Sequence, residues 1–205
     1  MPRNDLLLFA DLECTGADLA LGDEIIEVGF AVYSWPERKE LGSFSQVVLP
    51  SEFAKSRMAS NPKVLEMHTI NGLAADVEAG RGVSVETCDK LIDEFLLEYG
   101  TRESSHIPLG GSGISHFDRP FIRKYLPLFD KRVSYWHYDV GVVRRMFILA
   151  GARHADDSGK THRALDDARV HAEEFFWYMD RIKEMVATQV AARTETANVV
   201  PEAQA

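Results

Sequence analysis

Two acidic residues at the end of an apolar run are the first candidate functional residues of the sequence. Residues 6–10 are apolar, and Asp11 and Glu13 follow them. Such a short apolar run favours a strand that is covered on both faces. Residues two apart in an extended chain project from the same face. If both carboxylates are buried they need a cation, and a hard divalent ion fits them best, whereas a strand end in solvent would need no ion.

Further acidic residues stand at the starts of predicted helices. Asp118 directly precedes one helix, where a role as N-cap would by itself explain an aspartate. Asp166 and Asp167 begin the last helix, where negative charge is favourable. Both point away from the apolar stripe of that helix, so periodicity does not choose between them. His162 lies five residues before Asp167, about 140° around a regular helix, so a shared site requires His162 to lie on a preceding loop.

The elements that would position these residues begin with strands. Two segments rich in β-forming residues follow the first strand after short, turn-like links, and they are residues 24–33 and 44–50. Three strands in series with short links predict an antiparallel meander. Residues 51–82 predict irregular structure or short helices, and residues 85–99 predict a helix that Ser84 caps.

The second half of the sequence alternates strands with helices. The predicted strands are residues 107–110 and 137–140, and the predicted helices are residues 119–125 and 142–149. This alternation predicts parallel strands added to the meander, and therefore an α/β fold with a mixed sheet flanked by helices. A helical period then continues for some six turns to Val186. We expect one domain over residues 1–190 and a flexible C-terminal tail over residues 191–205.

Composition limits the classes of partner. The chain has 205 residues, 45% of them hydrophobic, and a formal net charge of -9. That charge argues against a broad basic face for long nucleic acid, but it is compatible with a small acidic metal site. Residues 119–132 hold a basic cluster that fits either phosphate contacts or an exposed helix face. Cys14 and Cys88 have no metal-type spacing and predict reduced thiols. With no membrane span at the N-terminus, we expect a cytoplasmic protein without a membrane partner.

The acidic residues, taken in order, resemble the three motifs of the DEDDh group of 3'-to-5' exonucleases. The matching segments are Asp11-x-Glu13-x-Thr15-Gly16, Phe117-Asp118 before a helix, and His162-x4-Asp167. Each motif is weak alone, whereas the ordered set is specific, and the resemblance covers roughly residues 6–176. The group includes oligoribonuclease, ribonuclease T and the proofreading subunit of bacterial DNA polymerase III. The resemblance implies a ribonuclease H-like fold.

Within this group the sequence is most similar to oligoribonuclease. His68-Thr69-Ile70-Asn71-Gly72-Leu73 resembles a segment between the first two motifs of that family, and Tyr135-x3-Asp139-Val140 resembles an aromatic segment at its dimer interface. A homodimer is therefore expected. The sequence departs from the family at Lys63, which stands where a tryptophan stacks on a base, and at residues 113–116, which replace the usual loop.

The resemblance implies a two-metal hydrolysis. Asp11, Glu13, Asp118 and Asp167 would hold two Mg2+ or Mn2+ ions, with Asp11 bridging them. His162 would accept the proton of the attacking water, since an imidazole ordinarily titrates near neutrality. The expected substrate is short single-stranded RNA, released as nucleoside 5'-monophosphates. The alternatives are a DNA exonuclease of the proofreading type and an inactive nucleic-acid-binding domain, and the complete acidic set speaks against the latter.

Overall fold

A five-stranded mixed sheet forms the centre of the molecule, in the order β3-β2-β1-β4-β5. The computed structural model describes residues 5–100, 106–152 and 161–198. Strand β1 (Leu6–Cys14) pairs antiparallel with β2 (Ile25–Ser34), and β2 pairs antiparallel with β3 (Glu40–Val47). On the other side of the sheet, β4 (Ile107–Gly111) pairs in parallel with β1, and β5 (Val133–Asp139) pairs in parallel with β4. The predicted meander with added parallel strands is confirmed.

Eight helices are described, and they cover both faces of the sheet. They are α1 (Glu52–Ala59), α2 (Pro62–Ile70), α3 (Leu73–Glu78), α4 (Val85–Leu97), α5 (Asp118–Tyr125), α6 (Pro127–Arg132), α7 (Val140–Leu149) and α8 (Ala164–Asn198). The Ser84 hydroxyl accepts a hydrogen bond from the Thr87 amide, as expected for the cap of α4. Helix α6 was not expected from the sequence. The Asp89 carboxylate on α4 accepts hydrogen bonds from the amides of Leu128 and Phe129 at its start, a long-range contact without a local signal.

The alternation of side chains along β1 separates two cores. Leu6, Leu8 and Leu12 pack in one cluster with residues of α4, α5 and α6. Leu7 and Phe9 pack in another with residues of α8. Because odd-numbered residues share one face of this strand, Asp11 and Glu13 lie on the α8 face of the sheet. The helix that carries Asp167 therefore covers the same face as the acidic residues of β1.

Two strand boundaries differ from the sequence prediction because pairing extends them. Residues 40–43, expected as a link, pair with β2, with Glu40 opposite Tyr33 and Gly42 opposite Val32. Strand β5 begins at Val133, four residues earlier than expected, where it pairs with Ile107. In both cases the neighbouring strand supplies hydrogen bonds that local sequence does not reveal.

The C-terminal helix is longer than its apolar stripe. Helix α8 continues to Asn198, so residues 191–198 of the predicted tail are helical, and the rest of that tail lies outside the described residues. The single domain over residues 1–190 stays a prediction. Among the described helices, α8 included, none combines the length and the apolar character needed to cross a membrane.

Candidate active site

The acidic residues of β1 lie at the end of the central strand. Glu13 is buried with a side chain 8% exposed, and the Asp11 side chain is 15% exposed. Asp11 Oδ1 lies 3.8 Å from Nδ1 of the buried His171 on α8. Glu13 Oε2 lies 3.9 Å from Nδ1 of the buried His68 on α2. Two helices therefore bring imidazoles to the two carboxylates of the strand.

Asp118 joins β1 through a backbone contact. Its carboxylate Oδ1 accepts a 3.1 Å hydrogen bond from the amide of Leu12, the residue between Asp11 and Glu13. The interpretation of Asp118 as an N-cap is wrong, because it is the first residue of α5 and Phe117 occupies the cap position. The buried Asp118 carboxylate reaches across to β1, which is the geometry of a site residue.

The start of α8 supplies the remaining candidates. His162 lies before the helix, as a shared site requires, and its backbone is in the left-handed region with φ 53°. One ligand atom each of Glu13, His162 and Asp167 lie within 4.8 Å of one another. Asp167 is buried, whereas Asp166 is exposed. Burial and proximity thus place Asp167 in this group, the choice that periodicity left open.

The charges of three acidic residues also meet at one thiol. Burial raises the pKa of Cys14 well above its usual value, and the negative charges of Asp118, Glu13 and Asp11 raise it further. Because Asp118 also binds the Leu12 amide, all three carboxylates lie at the end of β1, where Glu13 meets His162 and Asp167.

Strand β2 fixes the start of α8. The buried Glu27 carboxylate accepts hydrogen bonds from Arg163, at 2.6 Å from Nη2 and 3.0 Å from Nε, and from the Ala164 amide at 2.9 Å. Gly29 lets the helix approach, because a Cβ there would lie 2.1 Å from the Leu165 amide nitrogen. Asp167 Oδ1 accepts a 3.0 Å hydrogen bond from the Thr161 amide, which joins the loop before α8 to the first turn of the helix.

Four residues that surround the site had no role predicted from the sequence, although His68 stands in a segment that resembles oligoribonuclease: Glu27, His68, Arg163 and His171. Burial lowers the pKa of His68, and its ring nitrogen Nε2 lies 3.0 Å from the Cys14 carbonyl, to which the neutral ring donates. His171 had a detectable signal, since it is four residues after Asp167 and shares its helix face. Glu27 and Arg163 are 136 residues apart, and no local pattern connects them.

A groove opens beside His162. Its lining comprises Lys63, Glu66, Met67, Ile70, Asn71, Thr161 and His162. Ile70 is 80% exposed and contributes apolar surface to this groove. Lys63, at the position noted for its departure from the family, lies in this groove. The groove offers apolar surface and one cation directly next to the candidate site.

Two arginines of the basic cluster are engaged in contacts within the protein, whereas Arg123, Lys124 and Lys131 are exposed. Arg119 is buried, its Nε lies 2.8 Å from Asp130, and its Nη1 donates to the Ser134 carbonyl. Arg132 pairs with Asp93 at 2.6 Å. These two arginines hold helices and strands together, so the expected basic surface is smaller than the sequence indicates.

Comparison with known proteins decides the family. A family model described as RNase_T exonuclease matches residues 8–175. The chain belongs to this exonuclease family. An oligoribonuclease of Leifsonia xyli subsp. xyli is 30% identical over 178 residues, which are 85% of this chain and 83% of the relative. An oligoribonuclease of Francisella tularensis subsp. tularensis is 28% identical over 184 residues, 89% of this chain and 98% of the relative.

Solved exonuclease structures confirm the fold. E. coli Exonuclease I in complex with a dT13 oligonucleotide is similar with a TM-score of 0.60 at 14% identity, over 90% of this chain and 43% of that one. The nuclease domain of 3'hExo, a DEDDh family member bound to rAMP, is similar with a TM-score of 0.51 at 18% identity, over 86% of this chain and 92% of that one. The predicted ribonuclease H-like fold is confirmed, and this family member is a 3'-to-5' exonuclease similar to proteins named oligoribonuclease.

Proposed function

We propose that this exonuclease hydrolyses short single-stranded RNA from the 3' end to nucleoside 5'-monophosphates, with two divalent metal ions. The observation that carries the proposal is the meeting of Glu13, His162 and Asp167 within 4.8 Å, beside Asp11 and Asp118. The relatives named oligoribonuclease support the choice of short RNA.

The residues fit hard divalent ions. Glu13, Asp118 and Asp167 are buried carboxylates, and buried anions brought together are stable only with compensating positive charge. Carboxylate oxygens favour Mg2+ or Mn2+ over softer metals. Asp11, Glu13, Asp118 and Asp167 would hold the ions. When bound, the ions would supply charge stabilisation for the phosphoryl transition state and lower the pKa of a water.

His162 has the position of a general base in this reaction. Its ring is exposed beside the groove and next to two carboxylates, where it can take a proton from the attacking water. The water oxygen bonds to phosphorus and the bond from phosphorus to O3' breaks. The shortened chain leaves with a 3'-hydroxyl, protonated from solvent, and the released nucleotide carries a 5'-phosphate.

Charge supports a short substrate. The net charge is -9, and two arginines of the basic cluster are engaged in ion pairs. Few basic side chains remain for phosphates, so the logarithm of affinity should fall with the logarithm of salt concentration at a slope shallower than about -2. Affinity should gain little beyond a few nucleotides.

The edge of the sheet supports a homodimer as part of this proposal. Strand β5 ends the sheet, and Tyr135 and Trp136 on it are 77% and 68% exposed. Exposed aromatic residues on an edge strand are typical of an interface. A cytoplasmic location is also proposed, since Cys14 and Cys88 are free thiols. Light scattering that gives the mass of one chain at working concentration would contradict the dimer.

The decisive experiment compares RNA and DNA oligomers of two to twenty nucleotides with the same labelled 5' end. We expect Mn2+-dependent or Mg2+-dependent release of 5'-monophosphates, fastest on short RNA and slower on DNA. Full activity in excess chelator would contradict the metal mechanism. Faster cleavage of DNA, with affinity that rises steadily with length, would favour the proofreading type of exonuclease instead.

A further inference from the structure

Asn71 connects α2 to the loop that carries His162. It follows the last residue of α2 and lies at the side of the groove. Its Oδ1 accepts a 2.9 Å hydrogen bond from the Leu73 amide at the start of α3. That bond fixes the orientation of the amide group, because the other side-chain atom must then be the nitrogen. The nitrogen Nδ2 donates to the backbone carbonyl of His162, 91 residues away.

This hydrogen bond is made to a residue with an uncommon backbone conformation. His162 has φ 53°, in the left-handed region that residues with a side chain seldom occupy. Its neighbours are held by α8 and β2, since the Thr161 amide donates to Asp167 on α8 and the Arg163 side chain binds Glu27 on β2. Asn71 holds the carbonyl of His162 from the opposite wall of the groove. The orientation of the imidazole therefore depends on contacts from separate elements.

We propose that Asn71 is a positioning residue for His162, which it holds in the orientation that receives the proton of the attacking water. This inference rests on the proposed function, because it assigns Asn71 a part in the same reaction. Asn71 need not touch the reacting atoms. It acts on the backbone of His162, and its loss should lower turnover more than substrate affinity.

Asn71→Asp isolates the relevant contact. The aspartate keeps an oxygen that accepts from the Leu73 amide, and it loses the donor to the His162 carbonyl. Asn61→Asp is the matched control, because Asn61 caps the other end of α2 and the change adds the same charge. We expect Asn71→Asp to lower kcat about 10-fold to 100-fold with KM within about twofold, and Asn61→Asp to leave both near native.

A double-mutant cycle distinguishes positioning from a general charge effect. If Asn71 acts through the imidazole, Asn71→Asp should cost less than about twofold in a His162→Ala background, measured in single turnover. An equal loss in both backgrounds would overturn the proposal, since the new charge would then act on the metal ligands directly. Native kcat in Asn71→Asp would overturn it as well.

Hydrogen exchange supplies a readout that needs no activity. In Asn71→Asp the amides of Thr161 and Arg163 should exchange faster than in the native protein, while the Leu73 amide keeps its native rate. Unchanged exchange at residues 161–163 would overturn the proposal even if the protein cleaved no RNA. Failure of the proposed function would instead appear as a native protein without nuclease activity, in which the exchange difference persists.

Discussion

The candidate site has two parts that are held in different ways. The strand part consists of Asp11, Glu13 and Asp118, and the helix part consists of His162 and Asp167. The strand part is fixed by backbone hydrogen bonds, because β1 pairs with both neighbours and Asp118 binds the Leu12 amide. The helix part depends on side chains from β2 and α2 that reach the start of α8.

This difference indicates where the site is vulnerable. Activity that depends on the strand part should be lost mainly through changes to its own carboxylates, because the pairing of β1 and the hydrogen bond between Asp118 and the Leu12 amide position them. The geometry of the helix part should also be disturbed by substitutions of residues outside it, such as Glu27, Gly29 or Asn71.

Removal of a carboxylate from either part should have the largest effect on activity. We expect Glu13→Gln, Asp118→Asn and Asp167→Asn to reduce turnover below detection with the fold intact, because each removes a negative charge that would hold metal. Asp166→Asn is the control and should stay near native, since Asp166 is exposed. Circular dichroism and single-turnover hydrolysis are the measurements. An inactive Asp166→Asn variant together with an active Asp167→Asn variant would assign Asp166 instead of Asp167 to the third motif.

His162→Asn should have a smaller but still large effect. The loss of a general base typically costs about 10² to 10⁴ fold in rate. Calorimetric titration with Mn2+ should give near-native affinity for the variant. Loss of Mn2+ binding in His162→Asn would assign the residue to the metal ligands instead.

Gly29→Ala tests whether the helix part can be broken from a neighbouring strand. The added methyl group would meet the backbone of Leu165 at 2.1 Å, so α8 must shift. We expect a loss of about 10-fold to 100-fold in turnover and about 1–3 kcal/mol in the free energy of unfolding.

Gly42→Ala is the matched control for that substitution. Its methyl group would meet the Tyr99 hydroxyl, the far end of a side chain that can move away. Its unfolding free energy and turnover should change much less than those of Gly29→Ala. Equal losses of turnover in the two variants would show that approach of α8 to β2 has no special importance for the site.

The smallest effect on turnover is expected for a substitution in the loop after β1. The Asp23 carboxylate there accepts hydrogen bonds from Arg57 Nε at 2.8 Å and from the Asp18 amide at 2.9 Å. Although burial raises the pKa of Asp23, the hydrogen bonds and charge of Arg57 lower it below its usual value. A lowered pKa in the folded state gives stability that is present above the unfolded pKa, about 3.9, and is lost as pH falls through the folded value.

Asp23→Asn should therefore destabilise the protein by about 1–2 kcal/mol at pH 7, and the difference should shrink below about pH 4. Turnover should remain near native, because the sheet holds the strand part. Urea unfolding at a series of pH values measures the first effect. A difference in stability that stays constant down to pH 3 would contradict the role assigned to the Asp23 carboxylate.

The class of fold and the expected chemistry follow from the sequence. Short-range patterns give the strands and helices, since the period of apolar residues follows from local geometry. The alternation along β1 put Asp11 and Glu13 on one face, and the ordered motifs indicated the family that the comparisons confirm. The spacing of His162 and Asp167 was sufficient to place His162 before the helix.

The contacts that support the site could be identified only from the tertiary structure. Asp166 and Asp167 are equivalent in pattern, and they differ because only Asp167 turns toward the buried end of β1. Asp118 resembles an N-cap in sequence, yet its carboxylate binds a backbone amide 106 residues away. The contacts of Glu27 and Asn71 with the loop before α8 likewise join distant segments. Such contacts exist only after the sheet and helices have packed, and no local preference encodes them.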